Sequence, residues 1–184
     1  MHALRPLFSG LLLGLLAIAG SASAAEPDLI GVGVGSFDFA RSRAETRAVD
    51  VRLDYRWGLS LLSAASSSLA PLDRYVQIHP FVGFETTTKT QTYFTGGLAI
   101  DVLPSDYVYI TPSVGFGLYE RGEGKDLGAI PEFRSTLEAG LRFNEGIRMG
   151  GYVAHISNAG ISDKNPGAEM IGLLFHVPTN KLFP

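Results

Sequence analysis

The stretch RAVDVRLDYRW, residues 47–57, alternates at every step: Val49, Val51, Leu53, Tyr55 and Trp57 against Asp50, Arg52, Asp54 and Arg56. Period two is the signature of a strand with two unlike faces. EFRSTLEAGLRF repeats it, with Phe133, Ser135, Leu137, Ala139, Leu141 and Phe143 opposed to Glu132, Arg134, Thr136, Glu138, Gly140 and Arg142. YVYITPSVGFGLY sets Val108, Ile110, Val114, Phe116 and Leu118 against Tyr107, Tyr109, Thr111, Ser113 and Tyr119. YFTGGLAIDVL sets Phe94, Leu98, Ile100 and Val102 against Thr95, Gly97 and Asp101.

Segments of this kind fall at 28–39, 46–57, 76–86, 92–103, 107–120, 132–144, 146–158 and 168–178. Each is near the ~9–11 residues a tilted strand needs to cross a bilayer. A water-soluble barrel hides its apolar face, whereas a membrane barrel turns that face to lipid and packs polar residues inside. Four charges on one face of one strand, repeated on a second, suit a narrow lumen in which opposite signs pair. The expected fold is all-β: an eight-stranded antiparallel transmembrane β-barrel, its interior filled by side chains. Connections at 104–106 and 144–146 are tight. ARSRAET, TTTKTQ, RGEGKDLGAI and NAGISDKNPGA are longer and polar, as outer loops are. The exception is GLSLLSAASSSLAPLD at 58–73, a long inner connection whose composition permits a short amphipathic helix at the membrane rim.

Composition narrows the setting. Residues 1–24 read as a signal peptide, with His2 and Arg5, an apolar run over 11–19, and Ala22-Ser23-Ala24. Residues 25–184 then form one exported domain. The apolar run is shorter than the roughly 20 residues of a membrane helix. With no cysteine there is no disulfide framework, and a net charge of −3 gives no argument for a nucleic-acid partner.

Several small signals have plain readings. GVGVG at 31–35 lacks the following helix that a phosphate loop needs, so these glycines mark close packing in a strand. His79 and His176 fall on lumen-facing positions without a second ligand at metal spacing, so no metal or cofactor is implied.

One group does not fit the simple pattern. His155 and Ser157 share the apolar face of the seventh strand with Ile147, Met149 and Val153. Glu169 shares that of the eighth with Ile171, Leu173 and Phe175. His155 and Ser157, two residues apart, lie roughly 7 Å from each other. Glu169 opens the next antiparallel strand, within cross-strand reach. A serine needs a base, and a histidine base needs an acid to orient it, so the three outline a hydrolytic triad. Polar residues resting at headgroup level explain the same positions equally well.

HISNAGISDKNPGAE, residues 155–169, resembles the motif of the PagL family of outer-membrane lipid A 3-O-deacylases. The resemblance implies Ser157 as nucleophile, His155 as general base and acid, and Glu169 as its orienting partner. It further implies an oxyanion hole from the Asn158 side chain and the Gly160 N–H. The implied substrate is lipid A of lipopolysaccharide in the outer leaflet, cleaved at its 3-O-linked (3-hydroxy)acyl ester, with the chain against Ile147, Met149, Val153, Ile171 and Leu173. Lys164, Arg121 and Lys125 are candidate partners for lipid A phosphates. A homodimer is left open. The rivals are a non-enzymatic structural barrel and a soluble carrier, the latter disfavoured by the charged lumen. HVPTNKLFP departs from the usual aromatic barrel terminus, with Pro178 inside the last strand and Pro184 at the end.

Overall fold

The computed structural model describes residues 26–40 and 44–183, so the signal peptide expected over 1–24 lies outside the described residues. Eight strands follow in chain order: β1 (Leu29–Phe37), β2 (Ala48–Arg56), β3 (Val76–Thr87), β4 (Thr92–Ser105), β5 (Val108–Glu120), β6 (Pro131–Arg142), β7 (Arg148–Ser157) and β8 (Ala168–Pro178). Each pairs antiparallel with its neighbours, and β1 pairs with β8 to close the barrel. Closure leaves no free edge, which a sheet in lipid requires. All eight expected segments form, with ends shifted by no more than two residues.

The faces divide as the alternation predicts. On β2, Asp50, Arg52, Asp54 and Arg56 are buried while Val49, Val51 and Leu53 stand about half exposed. Val32, Val34, Val114, Leu137, Met149, Val153, Leu173 and Phe175 continue the apolar exterior around the barrel. An apolar exterior around a charged interior is stable only in lipid. One position departs: Tyr107, expected inward, is 69% exposed. The β4–β5 pairing shifts register between Val102 and Ser105 and resumes at Ser105↔Val108, so Tyr107 sits in the two-residue turn between the strands.

The lumen is filled, not open. Asp101 accepts from Arg56 Nη1 at 3.0 Å, Arg148 Nη1 at 2.5 Å and Thr111 Oγ1 at 2.6 Å. Arg56 Nη2 reaches Glu138 at 3.3 Å, and Arg148 Nη2 reaches Glu26 at 3.0 Å. Nearer the outer end, Arg134 pairs with Glu85 at 2.9 Å and Arg52 with Asp54 at 2.9 Å. His79 bonds Gln77 Oε1 at 2.9 Å, and His176 Nδ1 lies 3.3 Å from Glu138, so both histidines serve the lumen. The GVGVG glycines make room for it. A Cβ on Gly31 would stand 2.4 Å from His176 Cδ2, and one on Gly33 would stand 2.6 Å from Leu174 Cδ2.

The 58–73 segment forms a five-residue helix, α1 (Leu61–Ala65), and a 3-10 stretch (Ser67–Arg74). It is fastened to the inner end of β3: the Leu59 carbonyl meets His79 Nδ1 at 3.0 Å, and Gln77 Nε2 donates to the Asp73 carbonyl at 2.8 Å. Leu72 and Tyr75 stay exposed at this rim. Beyond Pro178 the chain turns into one helical turn, α2 (Thr179–Leu182).

Candidate active site

β7 begins inside the barrel wall with Arg148 and ends at Ser157, so its outward side chains climb from Met149 through Val153 and His155 to Ser157. The β7–β8 register sets His155 directly opposite Glu169, above the apolar pair Val153 and Ile171. On the other flank, β6 sets Ser135 beside His155 and Phe133 beside Ser157. His155 Nδ1 lies 3.5 Å from Glu169 Oε1, with their side chains 51% and 31% exposed. His155, Ser157 and Glu169 thus share the outward face at one end of adjacent strands.

The imidazole is held from a second direction. Gly167 has φ +59°, and a Cβ there would stand 2.8 Å from His155 Cε1 and 3.3 Å from Nε2. The β7–β8 ladder ends with His155↔Glu169 and Ile156↔Ala168, and Gly167 follows just outside β8. Nδ1 therefore faces the carboxylate while the Cε1–Nε2 edge lies against Gly167. Sequence reading assigned Gly167 no role. Its signal is a glycine two residues before the acid, in a backbone conformation that side chains rarely adopt.

Asn158 is tied into the loops around the site. Its side chain is fully buried. Nδ2 donates to the Leu127 carbonyl at 3.0 Å and the Lys164 carbonyl at 2.9 Å, and Oδ1 accepts the Gly160 N–H at 3.0 Å. Both amide hydrogens and the Gly160 donor are thus engaged within the loop. The Asn158 N–H itself donates to Asn165 Oδ1 at 3.1 Å. That bond holds the Asn165 side-chain amide beside the peptide that follows Ser157.

The outer loop 121–130 clamps the site loop 158–167. Leu127 is buried in one cluster with Ile156, Ala168 and Met170. A Cβ on Gly128 would stand 1.8 Å from the Lys164 carbonyl oxygen, so the two backbones touch. Lys164 Nζ donates to Asp126 Oδ2 at 2.7 Å, and the Gly128 N–H donates to Asp126 Oδ1 at 2.9 Å. Those bonds, the lysine's first, hold the Asp126 carboxyl below its ordinary value. Lys125, a candidate phosphate partner, is instead buried against Asp38 Oδ1 at 2.6 Å. Lys164 and Arg121 remain largely exposed.

The family model described as Lipid A 3-O-deacylase (PagL) matches residues 87–178, half of the 184-residue chain. No curated protein matches it. Among solved structures, the crystal structure of the outer membrane enzyme PagL aligns with a TM-score of 0.62 at 19% identity, over 82% of this chain and 99% of that one. A de novo designed transmembrane β-barrel aligns with a TM-score of 0.53 at 11% identity, over 85% of this chain and 100% of that one. At these identities the likeness to both structures is one of fold.

Proposed function

Because the chain belongs to the lipid A 3-O-deacylase (PagL) family of outer-membrane barrel hydrolases, we propose that Ser157, His155 and Glu169 carry the hydrolysis on the lipid-facing side of β7 and β8. The observation behind this reading is the register that sets Glu169 opposite His155, two residues below Ser157 on one outward face. Hydrogen-bonding side chains on an otherwise apolar membrane face call for a partner.

In this reading Glu169 accepts the Nδ1–H of His155 and fixes the tautomer that leaves Nε2 basic. Nε2 takes the Ser157 hydroxyl proton as Oγ attacks the acyl carbonyl. The tetrahedral intermediate collapses, the bond to the sugar 3-oxygen breaks, and that oxygen takes the proton back from His155. Water then enters by the same route, and the acyl-enzyme releases a fatty acid. The 3.5 Å His–Glu separation is longer than a good hydrogen bond, and catalytic contacts often tighten only when substrate is bound. The oxyanion needs a donor not already spent. Asn165 is our candidate, since the Asn158 N–H holds its Oδ1 next to Ser157 and so brings an amide N–H donor to that end of the site. Asn158 and Gly160 then shape the loop and do not touch the oxyanion.

The substrate geometry follows from depth. The ester lies near the headgroup boundary, level with the outer end of β7. The acyl chain can run down past Val153 and Ile171 towards Met149 and Leu173 without leaving the apolar layer. Lys164 and Arg121 stand above it, where cations meet lipid A phosphates.

Mass spectrometry of lipid A from cells expressing the wild-type chain or Ser157→Ala tests this. The wild type should remove one 3-hydroxyacyl group and Ser157→Ala none, with heat-modifiable gel mobility confirming a folded barrel in both. Deacylation by folded Ser157→Ala overturns the triad.

A further inference from the structure

Ser135 is the second hydroxyl beside His155. It pairs with His155 from β6, as Glu169 does from β8, so Ser135, His155 and Glu169 form one row across three strands. Its side chain is exposed on the lipid face. Its outward neighbours are otherwise apolar: Val114 opposite it on β5, and Phe133 and Leu137 two residues to either side. A hydroxyl in such surroundings without a partner is unfavourable.

His155 does not take that hydroxyl. Nδ1 of the ring is turned to Glu169, and its Cε1–Nε2 edge rests over Gly167, both on the β8 side. The ring leans away from β6. Among the described residues no protein group hydrogen-bonds Ser135. Ser135 therefore stands on the β6 flank of the histidine, the flank the ring leaves open and where an ester can lie.

Depth then selects what it meets. Ser135 is level with His155, one outward-facing step deeper in the membrane than Ser157, or roughly 7 Å along the strand. Sugar, amide and phosphates lie outward of the ester; only the acyl chain lies inward. A reacting carbonyl sits about 3 Å from the serine oxygen. The first hydrogen-bonding group below it is a hydroxyl on carbon 3 of the chain, two carbons further down. We infer that Ser135 is a specificity residue that hydrogen-bonds the 3-hydroxyl of the departing acyl chain, so that the enzyme prefers 3-hydroxyacyl esters. The inference rests on Ser157 being the nucleophile.

The test uses the full-length barrel in detergent and two glucosamine 3-O-esters of equal chain length, one 3-hydroxyacyl and one lacking the hydroxyl. Wild type should favour the hydroxylated ester in kcat/KM by about tenfold, the size of one well-made hydrogen bond. Ser135→Ala should erase the preference by slowing the hydroxylated ester alone, and Ser135→Thr, which keeps the hydroxyl, should retain it. Equal slowing of both esters by Ser135→Ala overturns the inference, because it shows an effect through His155 or the fold. An unchanged preference overturns it as well. Ser157→Ala assayed on both esters tests the parent reading separately: hydrolysis there removes the nucleophile, while the behaviour of Ser135→Ala still decides whether Ser135 reads the hydroxyl.

Discussion

Gly167 presents its bare Cα to the His155 imidazole, so that a Cβ would stand 2.8 Å from Cε1 and 3.2 Å from the Ile156 carbonyl oxygen. The carbonyl is part of the β7–β8 ladder and cannot yield, so the ring would have to move. Displacing a catalytic group by about 1 Å can cost about a hundredfold in rate. Gly167→Ala should therefore lower kcat by about that factor while KM and barrel folding stay near wild type. Wild-type turnover in a folded Gly167→Ala protein would show that the ring is not held from this side.

Asn158 and Asn165 can be told apart. Asn158→Ala removes three loop hydrogen bonds, so it should raise hydrogen exchange across 158–167 together with any loss of rate. Asn165→Asp keeps the acceptor for the Asn158 N–H but removes the Nδ2 donor. It should lower kcat by about 10²–10³ with loop exchange unchanged, as loss of an oxyanion donor does. Full activity in Asn165→Asp would return the search for a donor to the loop backbone.

The barrel and the outward face that His155, Ser157 and Glu169 share were legible in the sequence because period-two alternation encodes which way each side chain points. Loop positions were not, because they depend on contacts far along the chain. Lys125 read as a candidate partner for lipid A phosphates, but Asp38, on another loop, pairs with it in a buried contact. The motif carries Asn158 as a residue type but not the Leu127 and Lys164 carbonyls that its Nδ2 meets. Tyr107 followed the parity of β5, yet β5 begins only at Val108, paired with Ser105, and leaves Tyr107 in the turn. Ser135 was visible on the apolar face of its strand, but its neighbour could be known only once the β6–β7 register was fixed.

The clamp between the outer loops should respond to acid in one direction. The Lys164 hydrogen bond lowers the Asp126 carboxyl in the folded protein from its ordinary 3.8. A lowered folded value means the stabilisation is complete above the ordinary value and is lost as pH falls through the folded one. Exchange of 158–167 amides, normalised to unstructured rates, should stay level from neutrality to about pH 5 and rise only in stronger acid. Asp126→Asn should show the loosened loop already at neutral pH. The effect should be small and fade with salt, since the pair is exposed. A wild-type loop in Asp126→Asn would assign the clamp to Leu127 and the Gly128 contact alone.

The base of β7 depends on Asp101. Its carboxylate accepts from Arg56 and from Arg148, the first residue of the strand that carries His155 and Ser157. Arg56 keeps Glu138 and Arg148 keeps Glu26 if it is removed, but each loses its shorter contact inside a filled lumen. Breaking one member out of a buried ionic cluster costs about 3–5 kcal/mol, because the remaining charges are left undercompensated. Asp101→Ala should lose stability of that order in urea unfolding from lipid vesicles, and Asp101→Asn, which keeps an acceptor for Thr111, should lose less. Neither change touches the outward face, so the protein that does fold should deacylate at the wild-type rate. A cost below about 1 kcal/mol would mean that water reaches these arginines and replaces the carboxylate. The filled lumen would then serve to exclude a pore without holding the wall in shape.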